Sequence, residues 1–376
     1  MIFSGIVRNL IEAVEGKNHF NLISDIAYVS VPTLKKPIEQ VHPNTHKRLN
    51  EKLISAAKRI RFEAGWTEDE VNEWIEQHPQ SKGSAFILSS LVYTHQWIDR
   101  PYELTLAVAG DIDCFDEALG EAVRKKDLDA VKASLLAVEQ LQPGCLNPLS
   151  NDGHELPSLR EEIASASDAE AMEPYLNLVT TNLLLSFLAQ WDIEFSNLFF
   201  PQLEPRQVFA MVFPRIHPDA IKGEDGHYEG RRDLFWLPVR RLIELIAVIG
   251  EYERRSSPRR VPKVKDIGAR ADVSMASLVS WRDGTKKLKG SDFRHLWHGL
   301  CTRRGETGPI PEPWPLYLAA MLADQYMVGR GENYSVVSIK RFDALYQHWW
   351  ERHFKAWKAS GRPVGEKPWP ILFNEI

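Results

Sequence analysis

The chain reads as a mainly α protein, a multi-helical scaffold with a small two-helix unit embedded in it. Three observations lead there. Apolar residues recur at three- and four-residue intervals along most of the chain, the signature of amphipathic helices. Alternating apolar and polar runs are few, the clearest being Asp25 to Pro32 with Ile26, Val29 and Val31, too few to build a sheet of any size. The 23 prolines and 22 glycines are scattered between the periodic runs with no fixed repeat and no low-complexity tract, as expected of turns joining helices.

The elements follow in order. Residues Asn44 to Gly65 place Leu49, Leu53, Ala56 or Ala57 and Ile60 on one face, with lysines and arginines opposite. The next helix opens with Thr67 followed by Glu70, a capping-box pattern. Helices are further predicted over Ser84 to Trp97, Phe115 to Lys126 and Leu128 to Leu141, which makes residues 1–142 an N-terminal helical domain. Residues 143–171 are rich in Pro, Gly, Asn, Asp and Ser, a linker composition around at most one short helix. A central helical region, 172–232, contains helices at Glu173 to Phe195 and Arg206 to Phe213, then a polar loop from His217 to Asp233. Its longest apolar stretch, Tyr175 to Trp191, is interrupted by Thr, Asn, Ser and Gln and is shorter than the roughly 20 apolar residues a membrane span requires, so it is expected to be a buried helix.

Pro238 suits the start of a helix whose Leu242, Leu245, Ile246 and Ile249 share one face. It leads into "VKDIGARADVSMASLVSWRDGT", Val264 to Thr285, the centre of a segment spanning 233–304. Ile267 and Ala271 are four apart on a first short helix, and Leu278 and Trp281 three apart on a second, so both stripes can face one small core with Val273 in the turn. Ser274 is placed to cap the second helix, and Gly284 to end it in a left-handed conformation. The remaining 305–376 is an aromatic-rich helical region, with helices at Leu316 to Gln325 and Val337 to Ser360 and an extended tail from Gly361.

This spacing resembles the helix-turn-helix of Cro and phage-repressor-type regulators, on Ile267, Ala271, Val273, Leu278 and Trp281, and continues into "RDGTKKLKGSDFRHLWHGL", where Phe293, Leu296, Trp297 and Leu300 form the apolar face of a further helix. The likeness covers about 264–300. It implies a DNA-binding protein, a transcriptional regulator or the DNA-contacting subunit of a larger complex, with double-stranded DNA as partner and a homodimer or multi-protein assembly supplying a second contact. The second helix would enter the major groove through Ser274, Met275, Ser277 and Ser280, while Arg270, Arg282, Thr285, Lys286, Lys287 and Lys289 would meet phosphates. Two departures stand out: Asp272 replaces the turn glycine, and Trp281 is bulkier than the usual aliphatic.

Charge agrees with that implication locally and not globally. The chain carries −5. From Glu251 to Arg304, however, 14 Lys and Arg face 6 Asp and Glu, so positive charge is gathered around the two-helix unit. The basic stretch Tyr252 to Lys265 reads either as an arm adding phosphate contacts or as a solvated linker.

Other constellations are read as structural. His42 and His46 sit four apart at a helix start, and no glutamate base follows the first. His348, Glu351 and His353 are spaced three and two apart and do not share a helical face well. Asp111 to Glu117 starts like a calcium loop but lacks the glycine and terminal acid. Glu224, Asp225, His227 and Glu229 suit a solvated loop. Neither a phosphate-cradling Gly-rich loop nor a nucleophile elbow is present, so no cofactor or metal is expected and the protein is read as no enzyme of a recognised type. Cys114, Cys145 and Cys301 are odd in number and far apart, and the first residues lack a secretory pattern; together they predict a cytoplasmic protein. The aromatic stripe of Phe342, Leu345, Tyr346, Trp349, His353, Phe354 and Trp357 is expected in the core, with Trp350 extending aromatic surface to its flank. The alternative to DNA contact is an adaptor that uses the same two helices, and these aromatics, to bind protein.

Overall fold

In the computed structural model, residues 115–147, 157–199, 204–216, 235–255, 263–301, 312–329 and 336–360 are described nearly throughout, together with a few isolated positions before residue 73. The expected helices between Asn44 and Trp97 apart from those isolated positions, the Asp25 to Pro32 strand apart from Pro32, the His42/His46 pair, the acidic start of Asp111 to Glu117, the Glu224 to Glu229 group, Ser256 to Pro262 and the tail lie outside the described residues.

What is described is predominantly helical, as expected. Helical residues 115–116 and 118–125 are followed by α1 (Leu128–Leu141), α2 (Arg160–Ser165) and the long α3 (Ala169–Phe199). A 3-10 turn (Phe209–Val212) precedes a two-stranded antiparallel ribbon, β1 (Arg215–Ile216) with β2 (Phe235–Trp236), in which Arg215 pairs with Trp236. Then come α4 (Pro238–Arg255), α5 (Val264–Ala271), α6 (Met275–Arg282), α7 (Gly290–Cys301), α8 (Trp314–Gly329) and α9 (Val336–Ala359).

Two packing centres organise these helices. The first is the pair α3 and α9, with α1 against α3 and α2 against α1. The second is α4, which touches α6, α7, α8 and the 3-10 turn, while α5 leans on α6 and α7. One apolar cluster runs through both, from Phe115 to Trp357. The expected linker contributes Cys145, Leu146, Leu159 and Ile163 to that cluster. Aromatic contacts join the centres: Phe209 meets Trp191 edge-on at 5.1 Å, and Phe213 meets Phe342 at 5.1 Å and Tyr346 at 4.7 Å.

The expected helix over Arg206 to Phe213 is reduced to the four-residue 3-10 turn, for a local reason. The amides of Val208 and Phe209 donate to the Asp192 carboxylate, at 3.1 and 3.0 Å, and Pro214 holds Phe213 in an extended conformation.

From Val179 onward the apolar stretch of α3 is buried, and so are its polar interruptions Thr180, Thr181, Asn182, Ser186 and Gln190. Thr180 and Thr181 donate to their own helix carbonyls, of Leu176 at 2.8 Å and Asn177 at 2.6 Å. Asn182 accepts from the Trp349 indole at 2.9 Å, Ser186 meets His353 Nε2 at 2.8 Å, and Asp192 accepts from the Tyr346 hydroxyl. Asn182, Ser186 and Asp192 of α3 are thus partnered by the aromatic stripe of α9, as burial of such groups favours. No helix among the described residues is long and apolar enough to cross a membrane. Trp350 is buried too and stacks on Phe354 at 4.7 Å, so it does not offer the exposed flank expected of it.

Candidate functional site

The segment singled out by its spacing folds as two short helices joined by a tight turn. Ile267 and Ala271 of α5, and Leu278 and Trp281 of α6, are all buried, and Val273 packs partly against the same core. The helices meet closely at Gly268: a Cβ there would lie 2.8 Å from the Val273 carbonyl oxygen and 3.1 Å from Leu278 Cδ1. No side chain fits between the first helix and the turn that follows it.

The turn is made by Asp272, whose φ of 52° and ψ of 44° are left-handed. An aspartate tolerates that region better than most residues, which is how this chain dispenses with a glycine there. Val273 N–H donates to the Gly268 carbonyl at 3.0 Å, closing α5. Ser274 is extended and acts as the cap of α6, its hydroxyl accepting from Ser277 N–H at 3.1 Å and donating to Ser277 Oγ at 3.0 Å. At the far end Gly284 takes a φ of 68°, Thr285 Oγ1 donates to the Ser280 carbonyl at 3.1 Å, and Lys286 N–H donates to that same carbonyl at 3.1 Å.

The polypeptide that follows is anchored. Leu288 is fully buried between the exposed Lys286, Lys287 and Lys289, and its carbonyl accepts from the Tyr317 hydroxyl of α8 at 2.9 Å. Tyr317 in turn stacks on Phe293 of α7 at 4.6 Å. Burial pushes the Tyr317 hydroxyl far above its ordinary range, so it stays a donor at any working pH. The three lysines therefore stand on a turn tied to the core through one leucine and one hydrogen bond. Lys286 Nζ also lies over the Trp281 ring, 5.9 Å from its centroid.

The outer face of α6 is open. Ser274, Met275, Ala276 and Val279 are exposed, Ser277 and Ser280 half-buried, and Met275 and Val279 are two of the three large apolar side chains exposed among the described residues, at 46% and 41%. Thr285, Lys286, Lys287 and Lys289 are exposed, as are Lys263 and Lys265 where α5 begins, and none of these five lysines pairs with a carboxylate among the described residues. Arg270, in the last turn of α5, is half-buried. Arg282 departs from the expected phosphate-facing role. Its guanidinium is turned inward to Glu244 of α4 at 3.6 Å, a carboxylate also held by Arg240 at 3.0 Å, and burial lowers its pKa. It joins α6 to α4 instead of reaching outward.

Sequence reasoning missed the charged and polar groups of the α3–α9 seam, because nothing in local periodicity marks Asp192, Ser186 and His353 as neighbours. Asp192 is fully buried, and desolvation raises its pKa to about 8 despite the donors from Tyr346, Phe209 and Val208. Desolvation lowers the His353 pKa to about 4. Ser186 also donates to Gln142 Oε1 at 3.1 Å, so its hydroxyl is divided between the buried Gln142 and the half-buried His353. Glu351, the carboxylate of the group formed with His348 and His353, accepts from Gln347 at 2.7 Å, and no group of three or more His, Cys, Asp or Glu among the described residues is arranged to hold a metal. Cys145 and Cys301 are both buried, and neither forms a disulfide among the described residues.

No protein-family model, curated protein or solved structure matches this chain.

Proposed function

We propose that the unit α5–α6 is a helix-turn-helix that contacts double-stranded DNA, with α6 entering the major groove and the lysines around it meeting the backbone. The observation that carries this reading is the division of α6 into two faces. Leu278 and Trp281 are buried while Ser274, Met275, Ala276 and Val279 remain open, beside lysines with no carboxylate partner among the described residues. A helix packed wholly into the core would have no such free face. Polyanion binding draws on unpaired cations because each phosphate contact releases a condensed counterion.

Ser274, Met275, Ser277 and Ser280 are the groove-facing set, and Arg270, Thr285, Lys286, Lys287 and Lys289 the backbone set; Arg282 supports α6 from behind. Either regulation of transcription or the DNA-contacting role in a larger complex suits such a unit, and a homodimer would place two α6 helices on half-sites one helical turn apart.

The test is a gel-shift titration of the full chain on duplex DNA across a salt series. Binding weakens steeply with salt, and the K286E/K287E/K289E variant binds less tightly with a shallower slope. If each lysine neutralises one phosphate, the slope of log K against log salt falls by roughly 2.7. A flat salt response, or a variant that binds like the parent, overturns the proposal. That result favours the adaptor reading, for which the exposed Met275 and Val279 are the supporting feature.

A further inference from the structure

Met275 and Val279 are exposed, lie four apart on α6, and are joined on the open face by Ala276. Four helical residues advance about 6 Å, close to two base-pair steps of ~3.4 Å each. On the open face of α6 there is no Arg, Lys, Asn, Gln, Asp or Glu; its polar groups are the hydroxyls of Ser274, Ser277 and Ser280. Bidentate readout of guanine needs Arg or Lys, of adenine Asn or Gln, and of the cytosine amine Asp or Glu. None of these is available. What the face does offer is apolar surface, and in the major groove the apolar feature of a base pair is the C5 methyl of thymine. The cations that would hold a duplex against it, Lys286, Lys287 and Lys289, follow α6 directly on the turn anchored by Leu288. The occupant of this apolar patch must therefore be polyanionic around its rim and methyl-bearing at its centre.

We infer that α6 selects T·A-rich duplex DNA through thymine methyl groups packed against Met275 and Val279. The inference rests on the proposed DNA contact and adds the chemistry of selection to it. The cations of the rim make the contact with DNA of any sequence, and the two apolar side chains make the choice.

The experiment compares the full chain on alternating poly(dA-dT) and poly(dA-dU) duplexes of equal length, which differ only by the C5 methyl. Poly(dG-dC) and its 5-methylcytosine form are run in parallel. Loss of the methyl weakens binding by about fourfold per methyl buried, or roughly 15-fold for two. A variant with Met275→Ser and Val279→Ser, both at exposed positions, loses the difference between dT and dU and keeps the salt slope. Equal affinity for dT and dU with a steep salt dependence overturns thymine selection and leaves the DNA contact standing. Absence of binding to every duplex overturns both. A dT preference that survives in the serine variant, or no gain in affinity when poly(dG-dC) is replaced by its 5-methylcytosine form, also overturns the methyl contact.

Discussion

Replacing Asp192 by asparagine should change how the stability of this protein depends on pH. Asp192 is fully buried on α3, accepts two backbone N–H groups from the 3-10 turn and meets the Tyr346 hydroxyl of α9. Burial raises its pKa from an ordinary 3.8 to about 8. Between those two values the unfolded chain has lost the proton and the folded protein retains it. The folded state therefore binds more protons, and stability falls as pH rises. The contribution is fully present below about pH 4 and is lost progressively up to about pH 8. One pKa unit corresponds to about 1.4 kcal/mol, so between pH 5 and pH 8 this single group removes roughly 3 to 4 kcal/mol, allowing for half-ionisation in the folded state at the upper end. Asparagine keeps the shape, accepts the same two N–H groups through its amide oxygen, and does not titrate. Urea unfolding of parent and Asp192→Asn at about pH 5, 6, 7 and 8 isolates the effect, since every other titrating group is common to both. The stability difference should shift by those 3 to 4 kcal/mol in favour of the variant as pH rises. Parallel pH profiles would refute the reasoning, because Asp192 would then titrate in the folded protein as it does in the unfolded chain.

Two further outcomes concern the candidate site. A Cβ on Gly299 of α7 would lie 2.6 Å from Ala271 Cα of α5. Gly299→Ala should therefore cost about 1–3 kcal/mol by thermal or urea unfolding, although alanine alone is the better helix former by about 1 kcal/mol; a gain in stability would mean the two helices are not in that contact. Ser274→Ala should cost about 1 kcal/mol by removing the cap of α6, with Ser274→Asp restoring most of it; equal losses in both variants would place the effect elsewhere than in the cap.

Much of the architecture was legible from residue spacing because helices announce themselves locally. Leu128 to Leu141 was read at the bounds the structure gives, and Val337 to Ser360 is offset by one residue from α9. The two-helix unit was legible for the same reason: its five apolar positions, its capping serine and its terminal glycine all act within about twenty residues of chain. Where a segment's backbone is claimed by a distant side chain, local reading fails. Arg206 to Phe213 carries helical spacing, yet Asp192 captures two of its amides and leaves a single 3-10 turn. Arg282 has the position of a phosphate ligand, yet Glu244 of α4 draws it inward.

The sequence by itself determined that the described part of this chain is built of helices, where some of them begin and end, and which short segment carries the capped turn and the surrounding lysines. Those properties depend on side-chain periodicity and on backbone preferences over a few residues. Only the tertiary structure decided that Met275 and Val279 face outward, that Arg282 does not, and that Asn182, Ser186 and Asp192 of α3 meet the aromatic stripe of α9. Exposure and burial are set by whichever element arrives from elsewhere in the chain to cover a face, and no local pattern records that arrival.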